Sequence, residues 1–122
     1  MNDSENSEPN HVFILRNPKA GASSSRAKVE ELVRGLVDDG WDVTLFEDPS
    51  ELKSATQQAL ESGDLRVVVS AGGDGTLGLA ANTLPVETPL TVFPFGTENL
   101  LAKNYRVRQN VNQMRSIIAK GN

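Results

Sequence analysis

The sequence predicts an α/β domain: a three-layer αβα sandwich around a mostly parallel sheet. Three observations carry this expectation. Short runs rich in β-branched and apolar residues recur along the chain. Helical patterns stand between them, and the links are only a few residues long. Strands that are continuously apolar, not alternating, are buried on both faces, and helices between such strands are the usual crossovers of a parallel sheet.

The elements follow in order. His11-Val12-Phe13-Ile14-Leu15-Arg16 reads as a buried strand, and Asn17 to Ala22 as a turn with Pro18 and Gly21. Ser23, Ser24 and Ser25 offer N-caps to a helix whose Val29, Leu32, Val33, Leu36 and Val37 share one face. Gly40 suits the left-handed position that ends it. Trp41 to Phe46 is a second strand. Asp48-Pro49-Ser50-Glu51 is a strong helix start, with Asp at the N-cap, Pro at the first helical position and Glu at the third. Leu52, Ala55, Thr56, Ala59 and Leu60 face one way, and Gly63 ends that helix. Leu65 to Val69 is a third strand, Leu77 to Leu84 a helical stretch, and Leu90 to Phe95 a fourth strand with Pro94 near its end. Gly96-Thr97-Glu98-Asn99 starts a short helix reaching about Lys103. A final helix is capped by Asn110, turns Val111, Met114, Ile117 and Ile118 inward, and ends at Gly121.

Composition narrows the chemistry. The chain has 122 residues, enough for one core, and with aromatics at 5% that core is aliphatic. There is no cysteine, so thiolate metal sites, cysteine nucleophiles and disulfides are excluded, and a cytoplasmic, reducing setting is expected. His11 is the one histidine and reads as a strand-edge residue. No apolar run reaches the roughly 20 residues that span a bilayer. Residues 1–10 are polar and acidic, unlike a signal peptide, and are expected to form a disordered tail ahead of a domain over 11–122. The net charge is −4, distributed unevenly. Ten acids lie between Glu30 and Asp64, whereas Lys103, Arg106, Arg108, Arg115 and Lys120 stand without an acid from Leu101 onward. Ordinary solvated helix faces explain such clusters, and so would a face turned to an anionic ligand or, more weakly, a membrane surface to which the protein is peripheral. An acidic chain whose aromatics are not interleaved with its bases is not expected to bind nucleic acid. Oligomeric state is not encoded legibly.

Ser70-Ala71-Gly72-Gly73-Asp74-Gly75-Thr76-Leu77 carries the function. It follows the third strand and leads into a helical stretch. Glycines there allow close backbone approach to an anion, and the first amides of a helix point at it with the positive end of the dipole. A carboxylate such as Asp74 repels a phosphate unless a metal ion or a transferable proton lies between them. Phosphate chemistry is therefore the leading reading. A ligand-free tight turn is the bland one. Gly73-Asp74-Gly75-Thr76-Leu77-Gly78 also fits the dinucleotide pattern G-x-G-x-x-G, with Glu98 further on, so an NAD(H)-binding domain of an oxidoreductase is a rival. That pattern normally follows the first strand, and here it follows the third. No P-loop pattern is present. In a parallel sheet ligands bind at the C-terminal strand ends, where the loops here are 17–22, 47–48, 71–75 and 96–99.

Three segments together resemble one family. Asn17-Pro18-Lys19-Ala20-Gly21, Gly72-Gly73-Asp74-Gly75-Thr76 and Pro94-Phe95-Gly96-Thr97-Glu98-Asn99-Leu100-Leu101-Ala102 resemble, in order, the motifs of the nucleotide-binding subdomain of the diacylglycerol kinase catalytic superfamily, which includes bacterial lipid kinases and sphingosine kinases. The resemblance implies a Rossmann-like, NAD kinase-like N-terminal subdomain and an ATP- and Mg²⁺-dependent transfer of a phosphoryl group to a lipid hydroxyl such as that of diacylglycerol. It implies that Asn17 and Lys19 lie near the nucleotide, and that Gly72, Gly73, Asp74, Gly75 and Thr76 cradle its phosphates. Asp74 is then the catalytic residue, acting at the metal or at the acceptor's proton, and Thr97 and Asn99 close the site. The chain departs from the family pattern at Phe46, where a Thr is usual, at Gly78 and Leu79, where Asn-Glu is usual, and at Glu98, where a small residue is usual. Family members continue into a β-rich second domain, and this chain is expected to stop about where that begins. The expectation is therefore little or no turnover from the chain alone. A catalytically inactive nucleotide-binding module is the alternative.

Overall fold

A computed structural model of the chain describes residues 9–16, 23–72, 74–94 and 111–120. Within them lie four strands, β1 (His11–Arg16), β2 (Asp42–Phe46), β3 (Leu65–Gly72) and β4 (Leu90–Pro94). The helices are α1 (Ser23–Asp38), α2 (Pro49–Ser62), α3 (Asp74–Thr83) and α4 (Val111–Lys120). The sheet order is β2-β1-β3-β4 and every pair is parallel. The expected architecture holds.

The strands are apolar on both faces because each face is covered. On one, Val12, Ile14, Val69, Ala71 and Phe93 pack with Val29, Leu32 and Leu36 of α1 and Val111, Met114 and Ile118 of α4. On the other, Phe13, Leu15, Leu65 and Val68 pack with Leu52 and Ala59 of α2, with Ala80 of α3 and with Leu84 just after it. Thr56 is also fully buried in α2.

Turn chemistry stops two helices as anticipated. Gly40 has φ 98; its amide bonds the Val37 carbonyl and the Trp41 amide bonds that of Leu36. Gly63 has φ 78; its amide bonds Leu60, and the Asp64 amide bonds Ala59. Both are Schellman ends, which use a left-handed residue to satisfy the last carbonyls. At the front of α2, Asp48 Oδ1 accepts from the Ser50 amide at 2.9 Å, with Pro49 opening the helix.

Some expectations are corrected. Val37 is 54% exposed, because α1 turns Val29, Leu32 and Leu36 to the core, with Val33 partly buried beside them. Ser23 already lies in α1, so Ser24 and Ser25 fall within the helix instead of ahead of it. β3 runs on to Gly72 and α3 starts at Asp74, three residues before the expected Leu77. The caps expected at Asn110 and Gly121 and the short helix from Gly96 lie outside the described residues.

One irregularity had no sequence signal. His11 pairs with Leu65, but Val12 pairs with Val67, so Arg66 is an extra residue in β3. Leu65 belongs to the α2/α3 side and Val67 packs on the α1/α4 side. The bulge leaves Arg66 on the α1/α4 side as well. There its guanidinium donates to the carbonyls of Ile118 (2.7 and 3.0 Å) and Ala119 (2.9 Å), and it stacks 5.1 Å from the Trp41 ring. A cation thus meets the negative end of α4 and fixes that helix to the sheet.

Candidate functional site

All strands being parallel, their C-termini share one edge. The chain leaves β1 toward β2 on one side and later enters β3 on the other, so the winding direction reverses between β1 and β3. That is where ligands of such sheets bind. Arg16 ends β1 beside Ala71, and Gly72 lies one residue further, paired with Pro94. The glycine segment therefore projects from the reversal point, at the end of a buried strand.

Its geometry is tight. β3 ends at Gly72, α3 begins at Asp74, and only Gly73 separates them. Asp74 is therefore the first residue of α3 and not a loop residue as its surroundings suggested, and Gly75 and Thr76 belong to the helix's first turn. Thr76 is 3% exposed. A Cβ added to Gly72 would stand 2.6 Å from Thr76 Oγ1 and 3.1 Å from Thr76 Cβ. Beneath α3, Ser70 is 1% exposed and its hydroxyl has no partner among the described residues.

Of the expected site residues, the structure brings together Gly72, Asp74, Gly75 and Thr76 at this junction. Asn17, Lys19, Gly73, Thr97 and Asn99 lie outside the described residues. Among the described residues no group of three His, Cys, Asp or Glu side chains could hold a metal.

Of the positions that depart from the family pattern, Phe46, Gly78 and Leu79 are described, and Glu98 lies outside the described residues. Phe46 packs its ring edge-on against Phe13, with centroids 5.3 Å apart, in the α2/α3-side core. Gly78 faces open space, and Leu79 is 43% exposed on α3. Two residues at the edge were not singled out from sequence. Arg16, at the end of β1, pairs with Glu47, just past β2. The available signal was an arginine closing an apolar strand, with an acid at the matching end of its neighbour. A hollow lined by Arg66, Pro89, Leu90 and Ile118 lies by the N-terminal ends of β3 and β4, away from this edge.

The family model of the diacylglycerol kinase catalytic domain matches residues 11–122. The chain belongs to that family. Among solved structures, a protein of Bacillus anthracis str. Sterne assigned as a diacylglycerol kinase is similar in fold, with a TM-score of 0.60 at 23% identity. The match covers 93% of this chain and 40% of that one, so the chain spans well under half of that relative. No curated protein matches it significantly.

Proposed function

We propose that this chain is the nucleotide-binding part of an ATP-dependent lipid kinase. The observation that carries the reading is the β3–α3 junction, a buried strand passing through one glycine into a helix at the reversal point of a parallel sheet, within a diacylglycerol kinase catalytic domain. The phosphates of ATP lie against Gly72, Gly73 and the first amides of α3, where the backbone is bare and the helix dipole is positive. Lys19 and Asn17, from the loop after β1, and Thr97 and Asn99, from the segment after β4, complete the enclosure.

Asp74 supplies the carboxylate. Magnesium usually keeps several waters and is held by one or two carboxylates together with the substrate's phosphates. Asp74, at the head of α3, is placed to be one such carboxylate. When bound, the ion offsets phosphate charge during transfer. Asp74 either holds it or takes the proton of the acceptor hydroxyl. Thr76, packed on Gly72, fixes the turn that aims the amides. The acceptor is a lipid hydroxyl such as that of diacylglycerol.

Calorimetric titration with ATP·Mg²⁺, ADP and NAD(H) tests this. Binding of the adenine nucleotides without NAD(H) is expected; tight NAD(H) binding without ATP would overturn it in favour of an oxidoreductase domain. A nucleotide-binding module without turnover is the second reading. It is favoured by Leu79, exposed and apolar one turn from the junction. Phosphoryl transfer needs donor and acceptor held in line, so labelled-phosphate transfer to lipid micelles separates the two readings: turnover supports the kinase, and nucleotide binding without turnover supports the inactive module.

A further inference from the structure

The C-terminal edge holds a second polar feature, the Arg16–Glu47 pair. Arg16 is the last residue of β1, and its side chain is only 16% exposed. Its Nη2 donates to Glu47 Oε2, while its buried Nε has no partner among the described residues. Glu47 follows directly on β2 and its side chain is 45% exposed. The adjacent acid is spent differently: Asp48 caps α2 through the Ser50 amide. Of two consecutive carboxylates, one closes a helix and the other is held by a mostly buried guanidinium from the neighbouring strand and turned to solvent.

We propose that Glu47, aimed by Arg16, is the sugar subsite of the nucleotide, accepting hydrogen bonds from the ribose hydroxyls. The proposal rests on the nucleotide reading above. A carboxylate is an acceptor only, so it repels phosphates and selects donors. Glu47 lies at the end of β2, with β1 between it and β3. Strands are about 4.8 Å apart, so its backbone is about 10 Å from the glycine junction along the edge. That suits a nucleotide lying across the strand ends, with its phosphates at β3 and its sugar toward β2. Arg16 touches the carboxylate and not the sugar; it is a positioning residue.

Affinities of ATP·Mg²⁺, 2′-deoxy-ATP and 3′-deoxy-ATP are measured for the unaltered chain, Glu47→Ala and Arg16→Met, with melting curves giving the folded fraction. The unaltered chain is expected to prefer ATP over at least one deoxy analogue by about tenfold. Glu47→Ala should lower ATP affinity about tenfold and leave that analogue within about twofold, so the preference disappears. Arg16→Met should reduce the preference, per folded molecule, with less loss of overall affinity. An equal loss for ATP and both analogues in Glu47→Ala would overturn the proposal, as would an unaltered chain that binds all three alike, and in both cases the nucleotide reading stands. A chain that binds none of them overturns both.

Discussion

At the N-terminal edge of the sheet, several charged groups pair off, although Trp41 Nε1 and Thr88 Oγ1 are buried there without partners among the described residues. Arg66 is spent on the last carbonyls of α4, the ends of α1 and α2 are closed by Gly40 and Gly63, Arg115 forks onto Asp39 at 2.6 and 2.8 Å, and His11 Nε2 meets Thr44 Oγ1 at 2.9 Å. At the C-terminal edge the charged pair Arg16–Glu47 is only partly closed. Ser70 Oγ and Arg16 Nε are buried without partners, Glu47 faces solvent, and α3 begins one residue after β3 stops. Both edges close the same two core layers. The difference lies in the charged groups: at one edge Arg66 and Arg115 anchor helix ends, and at the other Arg16 holds a carboxylate that a ligand can engage. Substitutions at the two edges should therefore separate stability from binding.

The largest effect is expected at Gly72. Gly72→Ala places a methyl group 2.6 Å from Thr76 Oγ1, and the β-branched Thr76 is packed too tightly to turn away freely. Overpacking of this kind costs about 1–3 kcal/mol. Nucleotide affinity per folded molecule should fall as well, because the α3 turn is pushed off the strand end. Chemical denaturation and calorimetry on the same samples check both. A stability loss with unchanged affinity would show that the junction is a structural turn. Coupling is testable with Thr76→Ala, which should recover part of the loss in a double-mutant cycle.

Arg66→Ala should show the opposite profile. It removes three charge-assisted hydrogen bonds to α4 and the stacking on Trp41. Partly exposed, the cluster is worth about 1–2 kcal/mol. ATP affinity per folded molecule should not change. A drop in affinity would mean that α4 transmits to the far edge and that the two edges are not independent.

Asp74→Asn should cost less in stability than either. The acid stands at the positive end of α3, where a carboxylate is worth about 0.3–1 kcal/mol. Its main effect is expected on ATP·Mg²⁺ affinity, with ATP in the absence of the metal much less affected. Loss of folding with unchanged affinity per folded molecule would make Asp74 a helix-end residue only.

What the sequence made legible follows the same division. Local chemistry reads directly: the apolar run from His11, the Asp48-Pro49-Ser50-Glu51 start and the glycines at 40 and 63 act within a few residues of themselves, and each element formed where its pattern stood. Contacts between distant segments do not read. Arg66 and Ile118 are 52 residues apart, and the bulge that turns Arg66 toward α4 depends on the register with β1. The pairing of Arg16 with Glu47 depends on which strands are neighbours. The start of α3 was placed late because glycines at 73 and 75 weaken the helical pattern, whereas closure of the turn onto Gly72 imposes it. The motif at the candidate site was visible because it is local; its mates at Asn17, Lys19, Thr97 and Asn99 rest on resemblance alone.

The smallest effect concerns Arg115 and Asp39, on the anchoring edge. The hydrogen bonds from the Arg115 guanidinium, with its charge, hold the Asp39 carboxyl below its ordinary value of 3.8, against a smaller opposing effect of burial. A carboxylate whose pKa is depressed on folding contributes stability that is present above its unfolded value and is lost as pH falls through the folded one. The melting temperature of Arg115→Gln should therefore lie slightly below that of the unaltered chain near neutral pH. The gap should hold down to about pH 4 and narrow below it, and added salt should shrink it. The stem of Arg115 also crosses α1 at Gly35, where a Cβ would stand 2.7 Å from Arg115 Cδ. Gly35→Ala gains about 1 kcal/mol in helix propensity but displaces the arginine, so its benefit should emerge only when Arg115 is already truncated. A gap between Arg115→Gln and the unaltered chain that persists undiminished in acid would place the contribution in that stem's contact with α1 and not in the ion pair. The anchoring edge would then owe its stability to packing, and the contrast with the C-terminal edge would be one of filled space and not of satisfied charge.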